Sequence, residues 1–208
     1  MTRTRNWLVL LSLALVTLVP TSLVAQQSLR GTVLPSERML RRHGLMRAWW
    51  GQASLDPGRS RVAYITLDED ILIIQSTGGS VTGFNSETGQ RLWSVQLGPE
   101  DVPSKAAVSN SDLVFVAAGR TLFCLDKFSG RQLWEIKIPK VLSTSPTVDE
   151  QQIFFASHDG SVFAFDFRRI RSLFETGELE ELGFRARQWR YKTGKEITTP
   201  PLSVKNAI

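Results

Sequence analysis

Leu122-Phe123-Cys124-Leu125-Asp126-Lys127-Phe128-Ser129-Gly130-Arg131-Gln132-Leu133-Trp134 is the stretch that decides the fold. Its first four residues read as an apolar strand. Asp126, Ser129 and Gly130 then supply a turn: the carboxylate and hydroxyl accept backbone N–H groups, and the glycine takes the left-handed conformation. Gln132-Leu133-Trp134 opens a second strand, with an indole at a set distance from the turn. The same order stands 41 residues earlier, from Val81-Thr82-Gly83-Phe84-Asn85 through Thr88-Gly89 to Trp93. It starts again 40 residues later, at Val162-Phe163-Ala164-Phe165-Asp166, and reaches Trp189 after a longer interval. A period near 40 residues marks a repeat architecture.

Outward from this core, each unit is preceded by an apolar run: Leu72-Ile73-Ile74, Leu113-Val114-Phe115 and Ile153-Phe154-Phe155. These runs align without gaps at the same two spacings. Between run and strand lie Gly78-Gly79, Gly119-Arg120 and Asp159-Gly160, which predict hairpin turns. One register of the strand after the turn is always small: Gly83, Cys124, Ala164. That pattern predicts close approach of a neighbouring backbone or sheet. Cys124 accordingly reads as a small buried hydrophobe and not a reactive thiol. Trp93 and Trp134 read as packing between units, each able to bury ~200 Å². The connectors 143–148 and 197–204 lead into the first strand of the following unit. Four-stranded antiparallel units repeated in this way predict an all-β fold, an incomplete β-propeller of about three and a half blades with a short N-terminal helix. Asn85, Gly89, Trp93, Asp126, Gly130, Trp134, Asp166 and Trp189 are its structural motif residues; none is read as catalytic, cofactor-binding or metal-ligating.

The third unit departs from the pattern. Twenty-two residues separate Asp166 from Trp189, against seven between Asp126 and Trp134, so about fifteen are inserted within 167–188. Arg168, Arg169 and Arg171 open the insertion, and Glu175, Glu178, Glu180 and Glu181 come next. Ile170, Leu173, Phe174, Leu179, Leu182 and Phe184 equip it to form a short packed helix or hairpin. It is read as a structural flap, because lengthening a surface turn costs little, with a binding loop on the rigid scaffold as the alternative.

Ahead of the first hairpin, 35–43 predicts the short helix, and Leu45-Met46-Arg47-Ala48-Trp49-Trp50 an isolated outer strand. Residues 1–25 read as a secretory signal: Arg3 and Arg5, a thirteen-residue apolar run over 7–19, Pro20, and Ala25 at the cleavage point. The run is too short to span a bilayer comfortably, and an uncleaved N-terminal anchor is the alternative reading. The domains expected are thus a signal peptide over 1–25, an N-terminal segment over 26–62 and a partial propeller over 63–208. Without Arg3 and Arg5 the net charge falls from +5 to +3. This mild, unclustered excess argues against nucleic-acid binding. Apolar residues make up 42% and charged residues 22%, a globular balance. A single cysteine excludes an intramolecular disulfide, CxxC redox chemistry and cysteine-based zinc sites. His43 and His158 stand alone and read as solvated. The expected location is periplasmic or secreted. A fourth unit opens just before Ile208, so ring closure requires further blades or another copy, and open blade edges predict self-association.

The segments 83–95 and 124–136 resemble the tryptophan-docking repeat of pyrroloquinoline-quinone-type (PQQ-like, quinoprotein alcohol dehydrogenase-like) propellers, and Ala164-Phe165-Asp166 begins a third match. The resemblance covers residues 63–208. One branch of that family, the BamB-like branch, binds protein partners in outer-membrane β-barrel assembly; the other holds quinone and calcium for alcohol dehydrogenation. WD-type repeats fit less well, since Ser94, Glu135 and Arg190 stand after the tryptophans instead of aspartate. The dehydrogenase branch implies vicinal cysteines, a catalytic aspartate and carboxylate calcium ligands. Cys124 has no neighbour of its kind, and Asp126 and Asp166 are explained by their turns. The resemblance therefore implies a non-catalytic cell-envelope scaffold without cofactor, with a PQQ- and calcium-dependent dehydrogenase fragment as the alternative.

Overall fold

The computed structural model describes residues 34–56, 58–179 and 183–203. The expected signal segment, Leu182 and the last five residues lie outside them. Two units are distinguished, 1–45 and 46–208. In the first, helix α1 (Glu37–Arg42) is capped by the Ser36 hydroxyl, which accepts from Met39 N–H at 3.3 Å. No residue of this helix is buried.

The second unit holds three four-stranded antiparallel sheets. The first contains β1 (Val62–Asp68), β2 (Ile71–Ser76), β3 (Ser80–Asn85) and β4 (Arg91–Gln96) in chain order. The second contains β5 (Val108–Ser109), β6 (Leu113–Ala118), β7 (Thr121–Asp126) and β8 (Gln132–Lys137). The third contains β9 (Thr147–Val148), β10 (Gln152–Ala156), β11 (Ser161–Asp166) and β12 (Arg187–Lys192). Each is one blade of the incomplete propeller anticipated from the repeat.

The middle blade explains the unbroken apolar runs. Val114, Val116 and Ala118 of β6, with Phe123 and Leu125 of β7, pack against Ile71, Ile73, Val81 and Trp93 of the first blade. The alternate residues, Phe115, Ala117, Leu122 and Cys124, join Ile153, Phe155, Phe163 and Phe165 of the third. Both faces of the sheet are covered, so neither register can be polar. Between the blades, Gln75 stands in for a strand neighbour. Its amide oxygen accepts from Ala107 N–H (2.6 Å), and its amide nitrogen donates to Lys105 O (3.0 Å).

Three expectations are corrected here. The gapless alignment slips by one residue in β6: Leu113 pairs with Asp126, whereas Ile71 and Gln152 pair with Asn85 and Asp166. The second blade closes its hairpin with two residues, Gly119-Arg120, between the paired Ala118 and Thr121. Leu72, Val114 and Ile153 are the true equivalents, and a slip of one would have turned every side chain to the other face. Second, 45–50 forms no strand. An outer strand needs a ladder partner, and no hairpin precedes it among the described residues. Third, the small register Gly83, Cys124, Ala164 makes room for the blade's own tryptophan. Those residues face Trp93, Trp134 and Trp189 directly across the ladder, and a Cβ on Gly83 would lie 2.5 Å from the Trp93 ring.

Candidate functional site

The joints between blades are built from the turn residues upward. In the first blade Asn85 Oδ1 accepts from Glu87 N–H (3.1 Å), Thr88 N–H (2.8 Å) and the Thr88 hydroxyl (2.9 Å). In the second, Asp126 Oδ1 accepts from Phe128 N–H (3.2 Å), Ser129 N–H (2.8 Å) and the Ser129 hydroxyl (2.7 Å). These bonds, led by that from the Ser129 hydroxyl, hold the Asp126 carboxyl below the usual carboxylate range. Both turns end on a left-handed glycine, Gly89 and Gly130.

The glycine is where the preceding tryptophan lands. A Cβ on Gly130 would lie 2.5 Å from Trp93 Cγ, and one on Gly89 would lie 2.4 Å from the Trp49 ring. Each indole then donates to the carbonyl of the residue after the turn's Asn or Asp. Trp49 Nε1 donates to Ser86 O and Trp93 Nε1 to Lys127 O, each at 2.8 Å. Residues 45–50 therefore supply the tryptophan of an outer strand without its hydrogen-bond ladder.

Lys127 adds a buried charge to the second joint. Its side chain is 3% exposed, and its Nζ donates to Asp68 Oδ2 (2.7 Å) and to Asn110 O (3.0 Å). The Ser109 hydroxyl donates to the same Asp68 oxygen at 2.8 Å. Burial alone would raise the Asp68 carboxyl, but hydrogen bonds from Lys127, Ser109 and the Glu69 N–H, with the Lys127 charge, bring it below its ordinary value.

In the third blade, Asp166 begins as its counterparts do and ends differently. Asp166 Oδ1 accepts from Arg169 N–H at 3.0 Å, three residues on, as Asn85 and Asp126 do from Thr88 and Ser129. There the chain continues as helix α2 (Phe167–Glu175), with Asp166 as its N-cap. A 3₁₀ turn (Phe184–Ala186) leads into β12. The insertion does not ride on the surface as a flap: Phe167, Ile170, Leu173 and Ala186 are buried in the core between the second and third blades. Phe174 and Phe184 remain 49% and 41% exposed. Periodic spacing of Phe167, Ile170 and Leu173 was the readable signal, since i, i+3, i+6 share a helical face.

Ile170 occupies the position of Gly89 and Gly130, four residues after the turn's acidic or amide residue. Trp134, 2% exposed, packs against this helix instead of a glycine turn. Its Nε1 has no hydrogen-bond acceptor among the described residues. A pocket of about 220 Å³ opens beside it. Trp189 leans on Phe154 with ring centroids 6.1 Å apart and is only partly buried.

Residues 77–205 match the family described as outer membrane protein assembly factor BamB. The chain belongs to that family. The crystal structure of BamB from Moraxella catarrhalis is 21% identical, with a TM-score of 0.45. The match covers 62% of this chain and 35% of that one, so the chain spans about a third of that BamB. The computationally designed Ika4 protein is 16% identical with a TM-score of 0.50, covering 76% of this chain and 89% of that one. The designed Ika8 protein is 15% identical with a TM-score of 0.50, covering 70% and 40%. No curated protein matches the chain.

Cys124 is fully buried between blades, and burial pushes its thiol well above the usual range. Among the described residues no three His, Cys, Asp or Glu side chains converge, while calcium takes six to eight oxygen ligands. No described helix is long and apolar enough to cross a membrane.

Proposed function

We propose that this chain is an exported, non-catalytic propeller scaffold that binds protein partners in the cell envelope, a reading that rests on a family described as an outer membrane protein assembly factor. The observation that carries the reading is the family match over residues 77–205. The chemistry of the joints supports it. Asn85, Asp126 and Asp166 each direct Oδ1 to their own turn or helix, and Lys127 is spent on Asp68. What the chain does offer is a rigid sheet stack carrying an insertion with two exposed aromatic rings, Phe174 and Phe184. Binding residues concentrate on such segments, where a fixed frame holds them at little entropic cost.

The test is site-specific photo-crosslinking in intact cells, with the reactive residue at position 174 and, as control, at exposed Glu87. The reading expects crosslinks from 174 to an outer-membrane assembly protein, and few from 87. Dye reduction by the purified chain that depends on added quinone and calcium would overturn it.

A further inference from the structure

The positive charge of this chain is not spread evenly, which corrects its reading as unclustered. Between residues 26 and 47, Arg30, Arg38, Arg41, Arg42 and Arg47 stand against the single acid Glu37, a net +4. Residues 48–208 hold 18 basic and 19 acidic side chains, a net −1. The blades therefore contribute none of the excess. It belongs to the short segment ahead of them.

Within the first unit, residues 34–45 separate this charge from an apolar surface. Ser36, Met39, Leu40 and His43, at i, i+3, i+4 and i+7, share one side of α1 and its caps. Glu37, Arg38, Arg41 and Arg42 line a concavity on the other. Arg41 is tied to Glu37 at 3.3 Å, while Arg38 and Arg42 have no acidic partner among the described residues. The helix closes through left-handed Gly44 (φ +69°). Leu45 N–H donates to Leu40 O at 3.0 Å and Gly44 N–H to Arg41 O at 3.1 Å, a closure that turns Leu45 back toward Leu40. Met39 and Leu45 are each 56% exposed, and Leu34 is 59% exposed. Isolated helices shorter than about 12–15 residues are marginal in water, and α1 has six residues, none buried. Such a helix needs an outside surface against which to bury its apolar side.

Charge and side-chain type together select that surface. The unpaired arginines call for anions, and the aliphatic side chains call for an apolar layer directly beneath them. Nucleic acid supplies the anions, but α1 carries no aromatic ring on which bases could stack. A protein groove takes a helix with apolar anchors at i, i+3, i+4 and i+7, and here the first and last of these are Ser36 and His43. An anionic phospholipid interface supplies both, with phosphates above acyl chains, and arginine stems reach from one to the other. We propose that residues 34–45 form a lipid-binding foot, in which Met39, Leu40 and Leu45 enter the headgroup boundary and Arg38 and Arg42 pair with phospholipid phosphates. The proposal goes beyond the scaffold reading and does not rest on it. Crosslinking from position 174 reports protein partners and vesicle binding reports lipid, so either can fail alone.

The experiment is co-sedimentation of the chain, as cells export it, with vesicles of phosphatidylcholine alone or of phosphatidylcholine and phosphatidylglycerol in equal parts. The chain should pellet with the mixed vesicles, stay free of the neutral ones, and be released by raised salt. Arg38→Gln with Arg42→Gln should weaken binding about 25-fold, roughly fivefold for each arginine lost from an anionic surface. Arg38→Lys with Arg42→Lys should keep most of it, and Met39→Ser with Leu45→Ser should release the chain. All four positions are exposed, so the sheets should keep their circular dichroism in every variant. Equal binding to neutral vesicles, full binding by the glutamine variant, or no binding to either vesicle overturns the proposal. Single-stranded RNA that displaces the chain from mixed vesicles, and is itself bound only with Arg38 and Arg42 in place, would assign the segment to nucleic acid and overturn it too.

Discussion

A tryptophan lands on a glycine twice in this chain, and at that scale the sequence is most informative. Gly130 (φ +68°) would place a Cβ against Trp93, whereas Gly177 (φ +71°) has nothing within 4 Å. Gly177→Ala should therefore cost only the left-handed penalty, about 1–2 kcal/mol. Gly130→Ala should cost about 2–4 kcal/mol, because overpacking is added to it. Urea unfolding of the two variants separates the terms; equal losses would mean that the ring slides aside freely. Asp159 gives a second residue-level expectation. Hydrogen bonds from Ser157 and Ser161 hold its carboxyl down to about 2, from an ordinary 3.8. Because the folded value is depressed, the associated stability is present above pH 3.8 and is lost as pH falls toward 2. Carboxyl NMR should find that midpoint, and Ser157→Ala should move it upward.

At the scale of elements, the turn and the helix turn out to be one interaction with two continuations. Asp166 accepts from the N–H three residues on whether the chain closes into a strand or runs into α2. The difference lies in the third and fourth residues after it: Thr88-Gly89 and Ser129-Gly130 stop the turn, while Arg169-Ile170 cannot take a left-handed position easily. Asp166→Ala should lower stability by about 1 kcal/mol, and Asp166→Ser should restore most of it. A circular-dichroism melt of the two variants measures this. The shared opening of turn and helix explains why the helix was legible only as an option. Phe167, Ile170 and Leu173 mark a helical face, but nothing local says that the face replaces a glycine turn under Trp134. The one-residue slip in β6 was hidden likewise, since Leu113 and Val114 are equally apolar and only the hairpin closure tells them apart.

Across the whole molecule, the Lys127–Asp68 pair ties the second blade to the first and is the charge most sensitive to removal. The Lys127 side chain is buried while that of Asp68 is 31% exposed. Asp68→Ala strands that cation and should cost about 2–4 kcal/mol, somewhat below a fully buried pair because water reaches the Asp68 side. Lys127→Met with Asp68→Leu should recover most of the loss, since two apolar residues need no partner. A double-mutant cycle by denaturant unfolding gives the coupling; additive losses would show that the blades do not communicate through this pair. The depressed Asp68 value sets the sign with pH: its stabilisation is present above its ordinary 3.8 and declines as pH falls through the lower folded value.

What the residues determined unaided was the repeat: the four-stranded units, the turn chemistry, the tryptophan positions and a small residue in one register. These rest on contacts within about ten residues, where spacing alone dictates which groups can meet. Only the tertiary structure decided the partners of each indole, the burial of Lys127, the hairpin slip and the pocket at Trp134. Apart from the hairpin slip, which turns on where the chain reverses, each depends on groups 30 or more residues apart or on a carbonyl's direction, and side-chain order along a strand carries neither.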